Sequence, residues 1–231
     1  MKSFICELDR YPVIGFDLDG TLYDEYEFVF QAYRLVSKII REYMESYHRV
    51  IDQEEIFHSL CLEWLRVGSS APIFQTIFEK YGFPEIPKET LRKCVEAFRT
   101  AQFNLHLSRR AEDILDYLIA QDKVLFLVTD GNSDLQQRKI DALGLRRWFS
   151  EDRIAISDNY GKEAQKPRTY MFEVLRQSVK NIDQAVYCGD RDVDAKFSTN
   201  SGIEFRHVEN MNLFYENKES KVGVCNEWAI Q

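Results

Sequence analysis

The stretch VIGFDLDGT, Val13 to Thr21, runs from four apolar or small residues straight into two carboxylates and a glycine. Such a run predicts a buried strand, and carboxylates at i and i+2 on an extended chain point the same way. Asp17 and Asp19 can therefore share a cation, or one can attack while the other moves a proton. Gly20 then lets the backbone turn tightly. Asp and Gly also build ordinary acidic turns, so it is the apolar strand feeding them that sets this stretch apart. Two other stretches follow the same pattern, Val124 to Thr129 and Ala185 to Asp190. Each reads as a buried strand that delivers a reactive side chain at its carboxyl end. In an open parallel sheet those ends lie along one edge, where ligands bind in doubly wound folds. Three distant stretches are thus predicted to form one site.

The chain between and around them divides by periodicity. After Asp24, helical spacing recurs in Phe28, Ala32, Leu35, Ile39 and Tyr43; in Ile56, Leu60 and Trp64; in Ile73, Ile77 and Tyr81; and in Leu91, Val95 and Phe98. Gly68 to Pro72 and Gly82 to Pro87 supply turns between these helices. From about Leu107 helix and strand alternate. Ile114, Leu115, Leu118 and Ile119 form a helix face, Val124 to Val128 a strand, and Leu135 to Leu143 a helix ending at Gly144. Arg153 to Ile156 is a predicted strand, Tyr170 to Val179 a helix, and Ala185 to Cys188 and Ile203 to Val208 are strands. A repeated βα series requires a parallel sheet with covering helices. The expected organisation is an α/β core, residues 1–23 and 106–231, with an all-helical domain, residues 24–105, inserted after the first strand. The tail from Glu209 has no clear pattern.

Composition narrows the partners. A chain of 231 residues that is 45% hydrophobic suits one core plus an insertion. Its net charge is -8, and no run of lysine and arginine tracks a nucleic-acid backbone, so polymeric nucleic acid is not an expected partner. No apolar stretch reaches the roughly 18 residues of a membrane span, and the start MKSFICELDR lacks an apolar signal core. A cytoplasmic location without membrane contact is expected. The five cysteines are scattered without a CxxC pair, which favours neither a disulfide framework nor a thiolate zinc site. The four histidines form no HxH or HExxH pattern, and GxSxG, Walker A and GxGxxG motifs are absent. A small anion can still bind where a cation or fixed donors dominate the local field.

Three further segments bear on that anion. Thr129, Asp130, Gly131 and Asn132 end the second strand and open a helix, where a hydroxyl and backbone N–H groups form an anion cradle. Plain N-capping by Asn132 or Ser133 accounts for the same residues. Lys166, in AQKPRTYMFE, is placed to neutralise a phosphate and hold a crowded carboxylate ionised, although a loop lysine is ordinarily just solvated. GDRDVD, Gly189 to Asp194, adds Asp190, Asp192 and Asp194. Hard oxygen ligands of this kind suit Mg²⁺, which takes one or two carboxylates plus waters and phosphate oxygens. The competing reading is a charged loop with Asp194 capping a helix that begins near Ala195, and Asp192 is assigned to that role.

The order of these pieces, DxDGT at Asp17 and Asp19, strand-terminal Thr129, Lys166 before proline, and GDxxxD at Asp190 and Asp194, resembles the four motifs of the haloacid dehalogenase superfamily. The likeness spans about residues 11 to 205. It implies a Rossmann-like core with a helical cap inserted after the first motif. By position, Asp17 is similar to the nucleophile that forms an aspartyl-phosphate, and Asp19 to the general acid that protonates the leaving oxygen and later activates water. Thr129 and Lys166 match phosphate-holding catalytic positions, joined at the phosphate by Asp17, Asp130 and Gly131. The implied Mg²⁺ site comprises Asp17, Asp190 and the backbone carbonyl of Asp19, with Asp194 supporting the ion or Lys166. Dehalogenases resembling this core lack the second carboxylate because a halide leaves without a proton, so Asp19 points to phosphate-ester hydrolysis.

Locally, TDGNSDLQQRKIDALGLRRWF is similar to the branch that contains pyrimidine 5′-nucleotidases and N-acylneuraminate-9-phosphate phosphatase. The implied substrate is a small phosphorylated metabolite, a nucleoside monophosphate or sugar phosphate. Asp130 stands where that branch has asparagine, and a carboxylate beside a phosphate is unfavourable. Its side chain is therefore expected to face outward or to bind a neighbouring donor. Tyr23, Glu25, Tyr26, Arg34, Arg66 and Arg99 are cap candidates for selectivity by location alone, though such residues mostly pack or snorkel on helix faces. A phosphomutase of the β-phosphoglucomutase type is the first alternative, followed by a 2-haloacid dehalogenase and a noncatalytic binding protein. The expected assembly is a monomer or homodimer.

Overall fold

The structure is a computed structural model and describes residues 7–69 and 71–208. Cys6, Cys225 and the tail from Glu209 lie outside the described residues. In chain order the elements are β1 (Val13–Phe16), α1 (Glu25–Glu45), α2 (Gln53–Val67), α3 (Ile73–Lys80), α4 (Lys88–Thr100) and α5 (Arg109–Ala120). There follow β2 (Val124–Thr129), α6 (Ser133–Ala142), β3 (Ile154–Ile156), α7 (Tyr170–Leu175), β4 (Ala185–Gly189), α8 (Asp192–Ser201) and β5 (Glu204–His207). They form two compact units, one from residues up to Glu25 together with those from Leu105, the other from Tyr26 to Asn104.

The first unit is a Rossmann-like α/β fold built on a five-stranded sheet of order β3-β2-β1-β4-β5, every pair parallel. Its inner strands are continuous apolar runs because covering helices bury both faces. β1 is buried at all four positions, and β4 at all five. On one face Val13, Phe126, Val128 and Tyr187 pack with Met171, Phe172 and Leu175 of α7 and Phe197 of α8. The Phe126 and Tyr187 rings stack 6.2 Å apart. On the other face Phe16 meets the ring of Phe149 edge-on.

Register fixes the site. Phe16 pairs with Leu127 of β2 and Cys188 of β4, so Asp17, Thr129 and Asp190 leave the sheet at the same edge. The backbone keeps this alignment past the strand, since the Asp17 N–H donates to the Cys188 carbonyl at 2.9 Å.

Two of the boundaries that differ from the periodic reading have a visible cause. α7 stops at Leu175, not Val179, because the N–H groups of Gln177 and Ser178 bond three residues back, to Val174 and Leu175, and tighten the turn. β3 starts one residue late because Glu151–Arg153 is a 3₁₀ turn.

In the helical unit, Phe28 and Ala32 of the expected α1 stripe are buried, but from Leu35 on, which is exposed, the buried face shifts by one to Val36, Ile40 and Met44. Adjacent apolar pairs such as Leu35-Val36 and Ile39-Ile40 let either stripe satisfy the helical period, and packing decides. Aromatic contacts made by Tyr33 to Phe74 and Phe98 anchor the chosen one. In α4, likewise, Cys94 is buried and Val95 is not. Among the described residues, no helix is long and apolar enough to cross a membrane.

Gly15 is required by the sheet face, since a Cβ there would lie 2.2 Å from the Phe126 ring. Gly15→Ala is expected to cost about 1–3 kcal/mol by overpacking, with Phe126→Leu in the same chain recovering part of it. Strictly additive losses in chemical denaturation would contradict this contact.

Candidate active site at the carboxyl edge of the sheet

Lys166 is the centre of the site. Its ammonium, fully buried, lies 2.6 Å from Asp17 Oδ1 and 2.6 Å from Asp194 Oδ1. The hydroxyl of Tyr187 is 3.4 Å away and itself donates to the Val128 carbonyl. Asp194 also accepts the Arg191 N–H through Oδ2, at the head of α8. Asp194 sits at the third position of that helix, which begins at Asp192 and not near Ala195; Asp192 is exposed.

Small residues make room for these carboxylates. Gly20 has φ +79°, and a Cβ there would come within 2.5 Å of Asp190 Oδ2. A Cβ on Gly189 would meet the Asp194 side chain at the same distance. Thr21 donates to Asp190 Oδ1 at 3.3 Å.

Asp17, Asp190 and Asp194 each offer an oxygen within 4.8 Å of the others. Both Asp194 oxygens are already engaged, whereas Asp17 Oδ2 is buried without a hydrogen-bond partner. Asp17 and Asp190 are therefore the donors left for an ion, and an oxygen-only set with an orphaned buried carboxylate oxygen fits a hard divalent cation. Burial pushes the Asp17 carboxyl up to about 8, against the pull of Lys166, and Asp194 and Asp190 add to the rise. Asp190 is raised as well, chiefly by burial. For Lys166 burial works downward, but Asp17, Asp194 and Asp130 outweigh it and keep the ammonium charged.

Asp19 stands apart from this cluster. Its Oδ1 accepts from Tyr23 Oη and, at 2.7 Å, from Lys139 Nζ, while Oδ2 accepts from Gln136 Nε2 at 2.7 Å. Burial raises its carboxyl, but the Lys139 charge and these hydrogen bonds overcome that and hold it below the usual carboxylate range. Gln136 also donates to Thr129 Oγ1 at 2.6 Å. Lys139 and Gln136 had no place in the motif reading. Their only sequence signal is spacing: three apart, they share a face of α6 among the apolar Leu135, Ile140 and Leu143.

At the start of α6 the backbone is already capped. Asn132 accepts the Leu135 N–H, Ser157 accepts the Gly131 N–H, and Asp158 accepts the Ser133 N–H. The Gly131 donor expected for phosphate is thus taken up by Ser157 in this structure. Asp130 binds a neighbouring donor, since both its oxygens accept from the Lys166 backbone N–H at 3.2 Å. Of the selectivity candidates, Tyr23 is buried against Asp19, and Glu25 lies in the α/β unit near Arg191. Within the helical unit Tyr26 packs on Trp64 and Arg34 pairs with Glu54 over the Phe57 ring. Arg66 pairs with Glu63, and Arg99 is exposed.

Strand-end carboxylates around one buried lysine, on a doubly wound parallel sheet, define a class of hydrolase. The family model of the haloacid dehalogenase-like hydrolases matches residues 11–202, and the chain belongs to that family. It is an enzyme of the hydrolase class. No curated protein matches it. Among solved structures, it is similar to YfnB of Bacillus subtilis, assigned to the same hydrolases and bound to magnesium, at 20% identity and TM-score 0.56, covering 94% of this chain and 99% of that one. A family hydrolase from Deinococcus radiodurans R1, with bound phosphate and sodium, is 14% identical with TM-score 0.59 over 94% and 89% of the two chains. A predicted phosphoglycolate phosphatase from Haemophilus somnus 129pt is 19% identical with TM-score 0.57 over 88% and 89%.

Two outcomes follow from the electrostatics. In the chelated protein, the fold holds a proton on Asp17 between the ordinary value of 3.8 and about 8. The stability that this proton linkage contributes is complete below the lower value and is lost as pH rises through the upper one. Melting temperature should fall between about pH 5 and 9, Mg²⁺ should restore it most at the alkaline end, and Asp17→Asn should flatten the profile. A melting temperature indifferent to both pH and Mg²⁺ would contradict the crowding. Separately, Asp130→Asn keeps an acceptor for Lys166, so kcat/KM on a cleaved ester should stay within about threefold of wild type; a loss beyond about thirtyfold would show that the negative charge itself is needed.

Proposed function

We propose that this chain is a Mg²⁺-dependent phosphatase that hydrolyses a small phosphomonoester, a nucleoside monophosphate or sugar phosphate, through an aspartyl-phosphate on Asp17. The observation that carries this reading is the pairing of Asp17, buried and braced by Lys166 on one oxygen only, with a differently housed second carboxylate at Asp19. Neutralising the phosphate and the attacking carboxylate is the chemistry a bound Mg²⁺ supplies, and Asp17 and Asp190 with the Asp19 carbonyl would hold it.

The chain's own residues do the rest. One Asp17 oxygen bonds to phosphorus as the bond to the leaving oxygen breaks, and Asp19 gives that oxygen a proton that the negative charge of the bound phosphate favours on its carboxyl, against the pull of Lys139. Water then attacks the aspartyl-phosphate, its proton passes to Asp19, and the Asp17–phosphorus bond breaks to release inorganic phosphate. Lys166 offsets the repulsion between carboxylate and phosphate and stays charged. Thr129 is assigned to the phosphate, at the strand end beside it. A halide needs no proton, so the clamped Asp19 argues against carbon–halogen cleavage. Selectivity is assigned to residues of the helical unit.

Purified protein with Mg²⁺ is expected to release phosphate from at least one member of a panel of nucleoside monophosphates and sugar phosphates. Asp17→Asn and excess chelator should each abolish that release. Full turnover in either case would overturn the reading, as would release from no ester, and phosphate moved within a sugar in the presence of a bisphosphate activator would reassign the chain as a mutase.

A further inference from the structure

We infer that Lys139 and Gln136, both on α6, are a positioning pair that fixes the Asp19 carboxylate so that its Oδ2 is the atom that exchanges the proton; the inference rests on the phosphatase reading. Lys139 is 3% exposed, and its ammonium sits 2.7 Å from Asp19 Oδ1 and 6.0 Å from the centre of the Tyr23 ring. Burying a lysine is costly, and a buried ion pair is weak evidence of a purely structural role, because apolar residues of similar volume commonly replace one without loss. An apolar side chain at 139 would simply continue the stripe of Leu135, Ile140 and Leu143. What the lysine adds is orientation.

Each carboxylate oxygen has about two acceptor positions. Oδ1 receives Tyr23 and Lys139, and is filled. Oδ2 receives Gln136 alone, which leaves one position for a reacting proton. Three donors on two oxygens fix both the rotamer and the plane of the group, and general acid–base transfer needs the partner within about 2.6–3.2 Å. Gln136 also holds Thr129 Oγ1, so one amide ties the proton-transfer residue to the strand end assigned to phosphate. In the first half-reaction the proton leaves Oδ2 for the departing alkoxide, and in the second the attacking water returns a proton to Oδ2.

The test compares an alkyl ester cleaved by the wild type with p-nitrophenyl phosphate, whose leaving group needs little protonation. Lys139→Met is expected to lower kcat/KM for the alkyl ester by about 100-fold and for the aryl ester by less than about tenfold. Phosphoenzyme should accumulate on rapid quenching with the aryl ester, visible by intact mass, because water activation also slows. Gln136→Leu should show the same asymmetry to a smaller extent, and it decides the matter if Lys139→Met does not fold. Equal losses on both esters without phosphoenzyme, or no loss, would overturn the inference while leaving the phosphatase reading intact. A wild type that cleaves neither ester would overturn both.

Discussion

A single buried ammonium bridging two buried carboxylates is the interaction on which the site depends. Lys166 holds Asp17 and Asp194 each at 2.6 Å, with no solvent to share the charge. Breaking such a pair from one side strands an ion and typically costs about 3–5 kcal/mol. The arrangement exists because the parallel register aligns the strand ends and because glycines at 20 and 189 let carboxylates approach where any side chain would collide. Even so, one lysine does not offset the burial of Asp17, whose carboxyl stays raised, with Asp194 and Asp190 adding to the rise.

Two aspartates separated by one residue are pushed in opposite directions. Burial raises Asp17 against the pull of Lys166, whereas the Lys139 charge and the hydrogen bonds from Lys139, Tyr23 and Gln136 overcome burial at Asp19 and lower it. Taken alone these shifts run opposite to the proposed roles, since the attacking carboxylate must be ionised and the acid protonated; a cation beside Asp17 and an anionic phosphate beside Asp19 would each push the other way. The division here comes from different elements. Asp190, just past the end of β4, and Asp194 of α8 adjoin Asp17, whereas α6 serves Asp19.

Much of this was legible in the chain. Strand runs ending in Asp17, Thr129 and Asp190 marked the carboxyl edge, because buried parallel strands are continuous apolar segments with an abrupt polar end. The alternation after residue 107 identified the sheet and its covering helices. The rest depended on three-dimensional packing. Adjacent apolar residues in α1 left its buried stripe undetermined by period alone. The N–H groups at the head of α6 were open to either a ligand or a cap, and Ser157 and Asp158, from the loop after β3, supplied the caps. Beyond its spacing from Gln136, Lys139 gave no cue, because a lysine on an amphipathic helix ordinarily reads as solvated; the fold shows it turned inward onto Asp19.

The central claim is that the cluster at residues 17, 190 and 194 is completed by a divalent cation held through Asp17 and Asp190. Crystals grown with Mn²⁺ in place of Mg²⁺ would locate the ion directly by anomalous scattering. The account predicts one peak at about 2.0–2.3 Å from an oxygen of Asp17 and an oxygen of Asp190, with Lys166 remaining on Asp194. A peak elsewhere in the molecule, or none at saturating Mn²⁺, would contradict it.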